Sequence, residues 1–486
     1  MILTSPIFLR SRPRVTPMAT PPISPAPVQS LNSARLIAVV LLVSDLLGLG
    51  FFFVLNYLLR SDEAPDAAFS LALIGTISLI LLGLYITDAY RPDLRVAGMG
   101  SPMRTLISCI VIGIVLATFS YLLQATALTP FLWRSILLPG LGLFTLWAVL
   151  LRVVAGAWVR SHAKQSSCLL LGSDASIVQF EQDFRRWNPF GNLVVLSDPD
   201  SETPPISSRS LQAAGSLEDL SYWSERSWSG VVVAPQLNLS NHQLQSLMQL
   251  RLKGTPVYNL PNFYEMLWQK LPPALLRDTW FTFSGGFQLF TNRASLKIKR
   301  VIDLVVSSVL LAILLPLMLL TAVAIKLESP GNVFYSQLRT GLNGQPFRVY
   351  KFRSMRQDAE KAGAQWAQKR DPRITRVGYF LRLMRIDELP QLWNVLRGDM
   401  SLIGPRPERP EFDSQLATKI PYYNLRYLVK PGITGWAQVM YPYGASVADA
   451  YEKVSYDLYY IKNYSIWLDL AIALKTIRIV VLGKGQ

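Results

Sequence analysis

Cysteine and histidine are almost missing from this 486-residue chain, which holds two of each. Cys109 lies inside an apolar run and Cys168 far from it, so no disulfide framework is expected. With only His162 and His242 to help, there is no thiolate zinc site either. Ser-His and Cys-His catalysis lose their usual base. A G-x-G-x-x-G loop and a Tyr-x-x-x-Lys pair are both absent, so a membrane-anchored nucleotide-sugar dehydratase or epimerase would lack its machinery. No zinc-finger spacing or long basic helix is present, and nucleic acid is not an expected partner. Acid is scarce too, with 32 Asp and Glu against 48 Lys and Arg and a net charge of +16. That balance calls for an anionic partner, and a mean hydropathy of +0.27 turns the choice toward anionic lipid or a phosphorylated substrate.

Long apolar runs, in contrast, are plentiful. Residues 1–34, with Arg10, Arg12 and Arg14 among many prolines and serines, read as a flexible cytoplasmic tail. The first apolar run starts only after Arg35, too late for a cleavable signal peptide. Four runs at about 36–59, 67–88, 105–124 and 131–156 are each long enough to span roughly 30 Å of hydrocarbon as a helix. Asp62, Glu63 and Asp66 place the first loop outside, while Arg91, Arg95 and Arg104 place the second inside, and Arg160 and Lys164 return the chain to the cytoplasm. The expected bundle covers residues 35–157 with both ends inside.

Composition changes over 166–283. Cys168 to Gly172, Asn192 to Leu196, Gly230 to Ala234 and Thr255 to Tyr258 are short β-type runs between helix-compatible stretches, which predicts a parallel, Rossmann-like α/β module. Its first turn, from Leu171 to Ser176, has one glycine where a dinucleotide fold needs several, so a structural or regulatory role, including dimerisation, is expected of it.

A fifth apolar run, Val301 to Ile325, is flanked by Lys297, Lys299 and Arg300 before it and Lys326 after it, so both ends favour the same side of a membrane. Pro316 in mid-run costs roughly 3 kcal/mol in a straight helix. A re-entrant helix that breaks at Pro316 and returns satisfies both facts. A fifth crossing would carry everything after Lys326 outside.

The last third is dense in Arg, Lys, Gly and Pro. Lys351 and Arg353 stand two apart, facing one way on an extended segment. Arg382 and Arg385 stand at i and i+3 just before Asp387-Glu388-Leu-Pro390. Guanidinium groups match phosphate oxygens bidentately, although a cation taken alone is most often solvated, and Arg385 is read that way. Adjacent carboxylates on a helix point about 100° apart, which suits two roles, one as nucleophile and the other as metal or proton partner. Such a pair is common on solvated faces, and its neighbours decide the reading. Gly404-Pro405-Arg406-Pro407 holds an Arg in a stiff turn, and Pro431 to Gln438 forms another rigid turn. The closing stretch around Trp467, Lys475, Arg478 and Lys484 is amphipathic, fit to lie on a membrane surface or to pack as an ordinary helix.

In order and spacing, Lys351-Phe-Arg353-Ser-Met355, the run from Arg382 through Asp387-Glu388 to Arg406-Pro407, and Pro431-Gly-Ile-Thr-Gly-Trp-Ala-Gln438 resemble the bacterial sugar transferases, the polyprenyl-phosphate hexose-1-phosphate transferases. The resemblance is strongest over 295–486 and weakest over 166–283. It implies a helical transmembrane bundle, a cytoplasmic α/β module and a mostly α catalytic domain with a re-entrant helix at 301–325. It also implies a multi-pass protein of the bacterial inner membrane with its catalytic face in the cytoplasm, expected as a homodimer. The implied reaction moves hexose-1-phosphate from a UDP-sugar, glucose or galactose, to undecaprenyl phosphate, releases UMP and initiates exopolysaccharide or O-antigen synthesis. By the motif match Asp387 is the nucleophile and Glu388 its partner, with Mg²⁺ held at Asp387 and Glu388. Lys351, Arg353, Arg382 and Arg406 would bind phosphate. After Gln438 the string Val-Met-Tyr-Pro-Tyr-Gly-Ala-Ser446 replaces the usual Asn-Gly-Arg, which leaves the sugar open. The competing expectation is a scaffold or sensor for polysaccharide assembly that no longer turns over.

Overall fold

The computed structural model describes residues 29–60, 67–91, 99–123, 134–165, 167–172, 175–187, 191–197, 214–235, 237–287, 293–356, 359, 371–441, 444 and 446–481. Most of the expected tail and the acidic first loop lie outside the described residues, while 29–34 already belong to the first helix rather than to a tail.

The four apolar runs form α1 (Gln29–Leu58), α2 (Ala67–Ile86), α3 (Ser101–Leu123) and α4 (Arg134–Gln165). Leu49, Phe53, Leu84, Cys109 and Phe144 interlock between them, while Leu47, Ile114 and Leu146 face outward. An apolar exterior around a helical core suits hydrocarbon, where every backbone group must be satisfied within its own helix. Inside that core Arg152 of α4 holds Asp45 of α1 with two hydrogen bonds, of 3.1 and 2.6 Å, and both side chains are fully buried. Arg152 Nε also donates to the Ala89 carbonyl at 3.1 Å, tying in the chain after α2. By length and composition, four described helices can cross a membrane: Leu36–Leu58, Ser101–Thr118, Ile136–Val159 and Ala294–Glu328. The described apolar part of α2, Ala72–Ile86, is shorter.

Each β-type run supplies a strand: β1 (Ser167–Leu171), β2 (Asn192–Ser197), β4 (Gly230–Val233) and β5 (Val257–Asn259). A fifth strand, β3 (Gly215–Ser216), is too short to announce itself in sequence. All pair in parallel, in the order β3-β2-β1-β4-β5. Central β1 is buried along its whole length, and its side chains alternate between two cores. Leu170 meets Val232, Phe180 of α5 (Ala175–Trp187) and Phe263 of α8 (Leu260–Trp268). Leu169 and Leu171 meet Leu220 of α6 (Leu220–Trp223) and Leu247 of α7 (Asn241–Leu252). A short helix, α9 (Asp278–Phe283), leads out of the module.

The fifth apolar run lies in α10 (Arg293–Glu328), one continuous helix with Pro316 inside it. The expected break at Pro316 is therefore not in the hydrogen-bond pattern. Proline removes a single donor, and the turns on either side carry the helix through. A hairpin of β6 (Phe334–Thr340) and β7 (Pro346–Phe352) follows, then α11 (Arg376–Leu383), α12 (Gln391–Arg397), β8 (Ser401–Ile403), α13 (Pro410–Lys419), β9 (Gly432–Thr434), α14 (Trp436–Met440), α15 (Val447–Lys462) and α16 (Ile466–Val481). Parallel β8 and β9 bring the two rigid turns face to face. A Cβ at Gly432 would lie 2.1 Å from the Gly404 backbone nitrogen, so only glycine lets these turns meet.

The parts are tied by buried charge. Lys270, after α8, reaches both Asp183 at 3.3 Å and Glu452 at 3.0 Å, and Lys462 pairs with Glu265 at 2.6 Å, fastening the sheet module onto α15. Arg478 of α16 pairs with Asp88 beside the bundle. Ile472 of α16 is buried while Trp467 is 79% exposed, so this helix combines the packed and the surface-lying readings.

The Arg152–Asp45 pair yields a direct test. Arg152→Met leaves a buried, unpaired carboxylate and should cost roughly 3–5 kcal/mol, whereas Asp45→Leu with Arg152→Met should recover most of it. Thermal unfolding in detergent reads both; equal midpoints for the single and double variants would contradict this account.

Candidate active site

Asp387 and Glu388 sit in a single 3₁₀ turn, Ile386–Glu388, and not on the helix expected to carry them. That helix, α11, begins with Thr375 Oγ1 accepting a hydrogen bond from the Gly378 amide and ends at Leu383. Arg385 then takes a left-handed conformation, φ 57°, and turns the chain sharply into Ile386. A 3₁₀ turn has about three residues per revolution, so neighbouring side chains diverge by about 120°. The two carboxylates, 7% and 6% exposed, consequently have different surroundings.

Glu388 is surrounded by cations. Its Oε1 accepts from Lys351 Nζ at 2.7 Å and from Arg406 Nη2 at 2.7 Å, and Arg385 Nη1 lies 3.6 Å from Oε2. Burial pushes the Glu388 carboxyl up, but Arg406, Lys351 and Arg385 overcome it and hold it well below the usual range. Asp387 accepts no hydrogen bond among the described residues, and burial together with the Glu388 charge raises it, against Lys351, Arg382 and Arg385. Lys351 is pushed down by burial, with Glu388 opposing. One carboxylate is locked and ionised; its neighbour is buried, unbonded and more basic than an ordinary aspartate.

The expected phosphate-binding residues divide. Lys351, near the end of β7, and Arg406, in its proline-fixed turn, come together on Glu388. Arg382 Nε donates to Ser354 Oγ at 2.9 Å, and its charge reaches Asp387. Arg353 does not join them. Its guanidinium donates to the Pro330 and Ser329 carbonyls at 2.9 and 2.7 Å, closing the end of α10. β7 stops at Phe352, so the alternation that would have put Arg353 beside Lys351 does not extend to it. Pro316 lies within α10, away from this cluster.

Three contributors escaped the sequence reading. Arg385, taken as solvated, belongs to the cluster because its left-handed turn carries it back over Glu388. Arg426 donates to the Arg406 carbonyl at 2.8 Å, to Asp457 at 2.9 Å and to Tyr423 Oη at 2.9 Å, so it anchors the turn from which Arg406 reaches out. Asn394, fully buried in α12, accepts from the Tyr350 amide at 3.1 Å and donates to the Arg348 carbonyl at 2.7 Å, fixing β7 beside Lys351. An isolated Arg or Asn gives no signal in sequence; the partners are 31 and 44 to 46 residues away.

Among the described residues no group of three or more His, Cys, Asp or Glu side chains could hold a metal. The expected joint site at Asp387 and Glu388 does not fit, since Glu388 is committed to three cations. Mg²⁺ needs few protein ligands and takes phosphate oxygens and water for the rest, so it fits here on a substrate diphosphate beside Asp387.

Residues 294–483 match the profile described as bacterial sugar transferase. A Caulobacter vibrioides UDP-glucose:undecaprenyl-phosphate glucose-1-phosphate transferase is 47% identical over 181 residues, which are 37% of this chain and 68% of that protein. The chain belongs to the bacterial sugar transferases. An Aeromonas hydrophila UDP-N-acetylgalactosamine-undecaprenyl-phosphate N-acetylgalactosaminephosphotransferase is 54% identical over 188 residues, 39% of this chain and 44% of that protein. An Escherichia coli UDP-glucose:undecaprenyl-phosphate glucose-1-phosphate transferase is 43% identical over 184 residues, 37% of this chain and 39% of that one. The similarity to these sugar transferases thus spans less than half of the Aeromonas and Escherichia proteins, and the profile match falls on the part that carries the cation cluster.

The two buried arginines should separate in a binding experiment. Arg426→Met should weaken inorganic diphosphate, titrated calorimetrically, about tenfold, or about 1.4 kcal/mol. Arg353→Met should leave that affinity within twofold and instead lower the unfolding midpoint, because it strips hydrogen bonds from the end of α10.

Proposed function

We propose that this sugar transferase moves a hexose-1-phosphate from a UDP-sugar to undecaprenyl phosphate and releases UMP, with Asp387 as nucleophile. The observation that carries this reading is the asymmetry of the carboxylate pair: Glu388 spends its charge on three cations, while Asp387 keeps its oxygens unbonded beside them. A carboxylate that is desolvated and without hydrogen bonds is a stronger nucleophile than one in water. An Asp387 oxygen attacks the donor's β-phosphorus, the bond to the bridging oxygen breaks, and UMP leaves with that oxygen. A phosphate oxygen of the lipid then attacks the same phosphorus and expels Asp387, forming the lipid diphosphate-sugar.

Lys351, Arg382, Arg385 and Arg406 form the cationic side of the site and would stabilise charge on the transferring phosphoryl group. Mg²⁺, held by the donor's phosphates beside Asp387, would neutralise the diphosphate and leave the Asp387 oxygens free. The named relatives divide between glucose and N-acetylgalactosamine donors, so the reading stops at UDP-hexose, with N-acetylhexoses included.

Placement at a membrane follows from α10. Near its start Lys299 pairs with Asp469 at 2.6 Å, Arg300 donates to the Leu396 carbonyl at 2.8 Å, and Asp303 accepts from the Leu402 amide at 3.0 Å. Near its end Ile325 packs on Phe352 and Leu381, and Glu328 accepts from the Val377 amide at 3.0 Å. Both ends thus hold elements of the sugar transferase part, the start holding α16, α12 and β8 and the end holding β7 and α11, while Val305, Ile313 and Leu320 between them are exposed. This supports a helix that bends at Pro316 without losing its helical hydrogen-bond pattern, rests its exposed middle in one leaflet and leaves both ends on the side where nucleotide sugars are found, the cytoplasmic one. The sheet order β3-β2-β1-β4-β5 likewise supports a doubly wound, Rossmann-like module on that side.

UMP release from a panel of UDP-glucose, UDP-galactose and UDP-N-acetylgalactosamine, with and without undecaprenyl phosphate, tests the reaction. Wild type should release UMP and form a lipid-linked product with at least one donor, chelation should stop it, and Asp387→Asn should lower turnover at least 10³-fold in a folded protein, about 4 kcal/mol. Retained activity in Asp387→Asn would end the nucleophile assignment. A separate expectation concerns pH. Asp387 must be ionised to attack and its pKa is raised, so activity is present above that pKa and falls as pH drops through it, at a pH higher than for an ordinary aspartate. Glu388→Gln removes the neighbouring charge and frees cations, so the acid limb of its residual activity should move to lower pH. An unmoved or raised limb would show that another group titrates.

A further inference from the structure

A cavity of about 500 Å³ opens at the carboxyl edge of the parallel sheet, within the range of small-molecule sites. It is lined by Ala234, where the chain leaves β4, by Asn259 and Asn262 at the start of α8, and by Arg277, Trp280 and Ser284 in and around α9. None of these residues belongs to the Asp387 cluster. We propose that this cavity is a second ligand site, which binds a nucleoside phosphate with the phosphate on Arg277.

Four observations lead there. Open parallel α/β sheets bind ligands outside the carboxyl ends of their strands, usually at the crevice where strand order reverses. Here that crevice, between β1 and β4, is closed: Gly172, at φ 144°, packs so tightly that a Cβ on it would lie 2.6 Å from the Ala234 Cβ. The open space is displaced by one strand, to the mouth of β4 and β5. This explains how the module can dispense with a glycine-rich loop and still keep a binding edge.

The lining also selects a ligand. Among the described residues it offers one cation, Arg277, and no carboxylate, which suits an anion. Arg277 is exposed and makes no ion pair among the described residues. Ser284 Oγ, at the cavity's edge, is buried without a hydrogen-bond partner among the described residues, so a small shift of its side chain toward a ligand would cost no existing bond. Asn262 Oδ1 accepts from Trp280 Nε1 at 3.1 Å and Asn259 Oδ1 accepts from the Asn262 amide at 3.0 Å, which leaves the side-chain NH₂ groups available to the carbonyls of a base. Trp280, Phe283 and Leu275 give the apolar area that a base and ribose need and that a bare phosphate does not.

An occupant would lie against the segment that joins the sheet to the sugar transferase part. Asp278 accepts from Tyr422 Oη at 2.9 Å, Phe281 packs on Tyr422, and Lys462 Nζ stands 4.4 Å from the centre of the Trp280 ring.

Equilibrium dialysis of UMP and AMP against the full-length protein in detergent tests the site independently of turnover, and the Arg406→Ala variant removes binding at the cation cluster. In the Arg406→Ala background at least one of the two nucleotides should bind with a stoichiometry near one per chain. Adding Arg277→Glu, or separately Thr279→Glu at another exposed lining position, should weaken it more than tenfold. Inorganic phosphate should bind at least tenfold more weakly than the nucleotide. Arg277→Glu alone should leave UMP release within twofold of wild type. The proposal fails if neither nucleotide binds to Arg406→Ala, if both added substitutions leave binding unchanged, or if phosphate alone binds as tightly. Because the readout is binding, an inactive protein that retained this site would count against the proposed reaction and not against the cavity.

Discussion

The site depends on Glu388 being held by Lys351, Arg385 and Arg406 at once. These cations come from the end of a hairpin strand, a left-handed corner and a proline-fixed turn. Without the carboxylate, three positive charges would crowd a poorly solvated pocket, and their repulsion would drive the segments apart. With it, the cluster still has a positive excess that a diphosphate can use. The outer supports follow from the same need: Asn394 fixes β7, Arg426 fixes the Arg406 turn, and the Gly404–Gly432 contact fixes that turn against its neighbour.

That arrangement also assigns different work to two adjacent carboxylates. An α-helix would set adjacent side chains about 100° apart, and the 3₁₀ turn widens this to about 120°. The left-handed Arg385 ends α11 early and leaves only a 3₁₀ turn, so the side chains separate widely within two residues. Glu388 points into the cations and Asp387 does not. Reversing the proposed roles would require Glu388 to give up three partners before attacking, whereas Asp387 accepts no hydrogen bond among the described residues.

Legibility in the sequence followed the range of the interactions. The apolar helices and the four longer strands announced themselves because burial in hydrocarbon or in a two-sided sheet core leaves continuous apolar runs. Lys351, Asp387, Glu388 and Arg406 could be picked out because each stands in a local motif. The reading failed where a local rule was cut short by tertiary structure. β7 ends one residue before Arg353, which then serves α10, and α11 ends two residues before Arg385, which then serves Glu388. Nothing in the chain near Arg426 foretells Asp457, because a buried ion pair is a property of two distant segments that only the fold brings together.

The helix α10 connects the bilayer to this chemistry. Ile325 near its end packs on Phe352, the residue after Lys351, and on Leu381, the residue before Arg382. Two of the site's cations are therefore placed by side chains adjacent to those that grip the helix. If the exposed middle of α10 seeks hydrocarbon, its depth sets the height of Lys351 and Arg382 over the membrane surface. A lipid phosphate is confined to that same surface by its own tail. In the proposed reaction the helix would do for a lipid acceptor what the cation cluster would do for a soluble donor: remove a degree of freedom before the reaction begins, so that the site would need no deep pocket of its own to hold the acceptor.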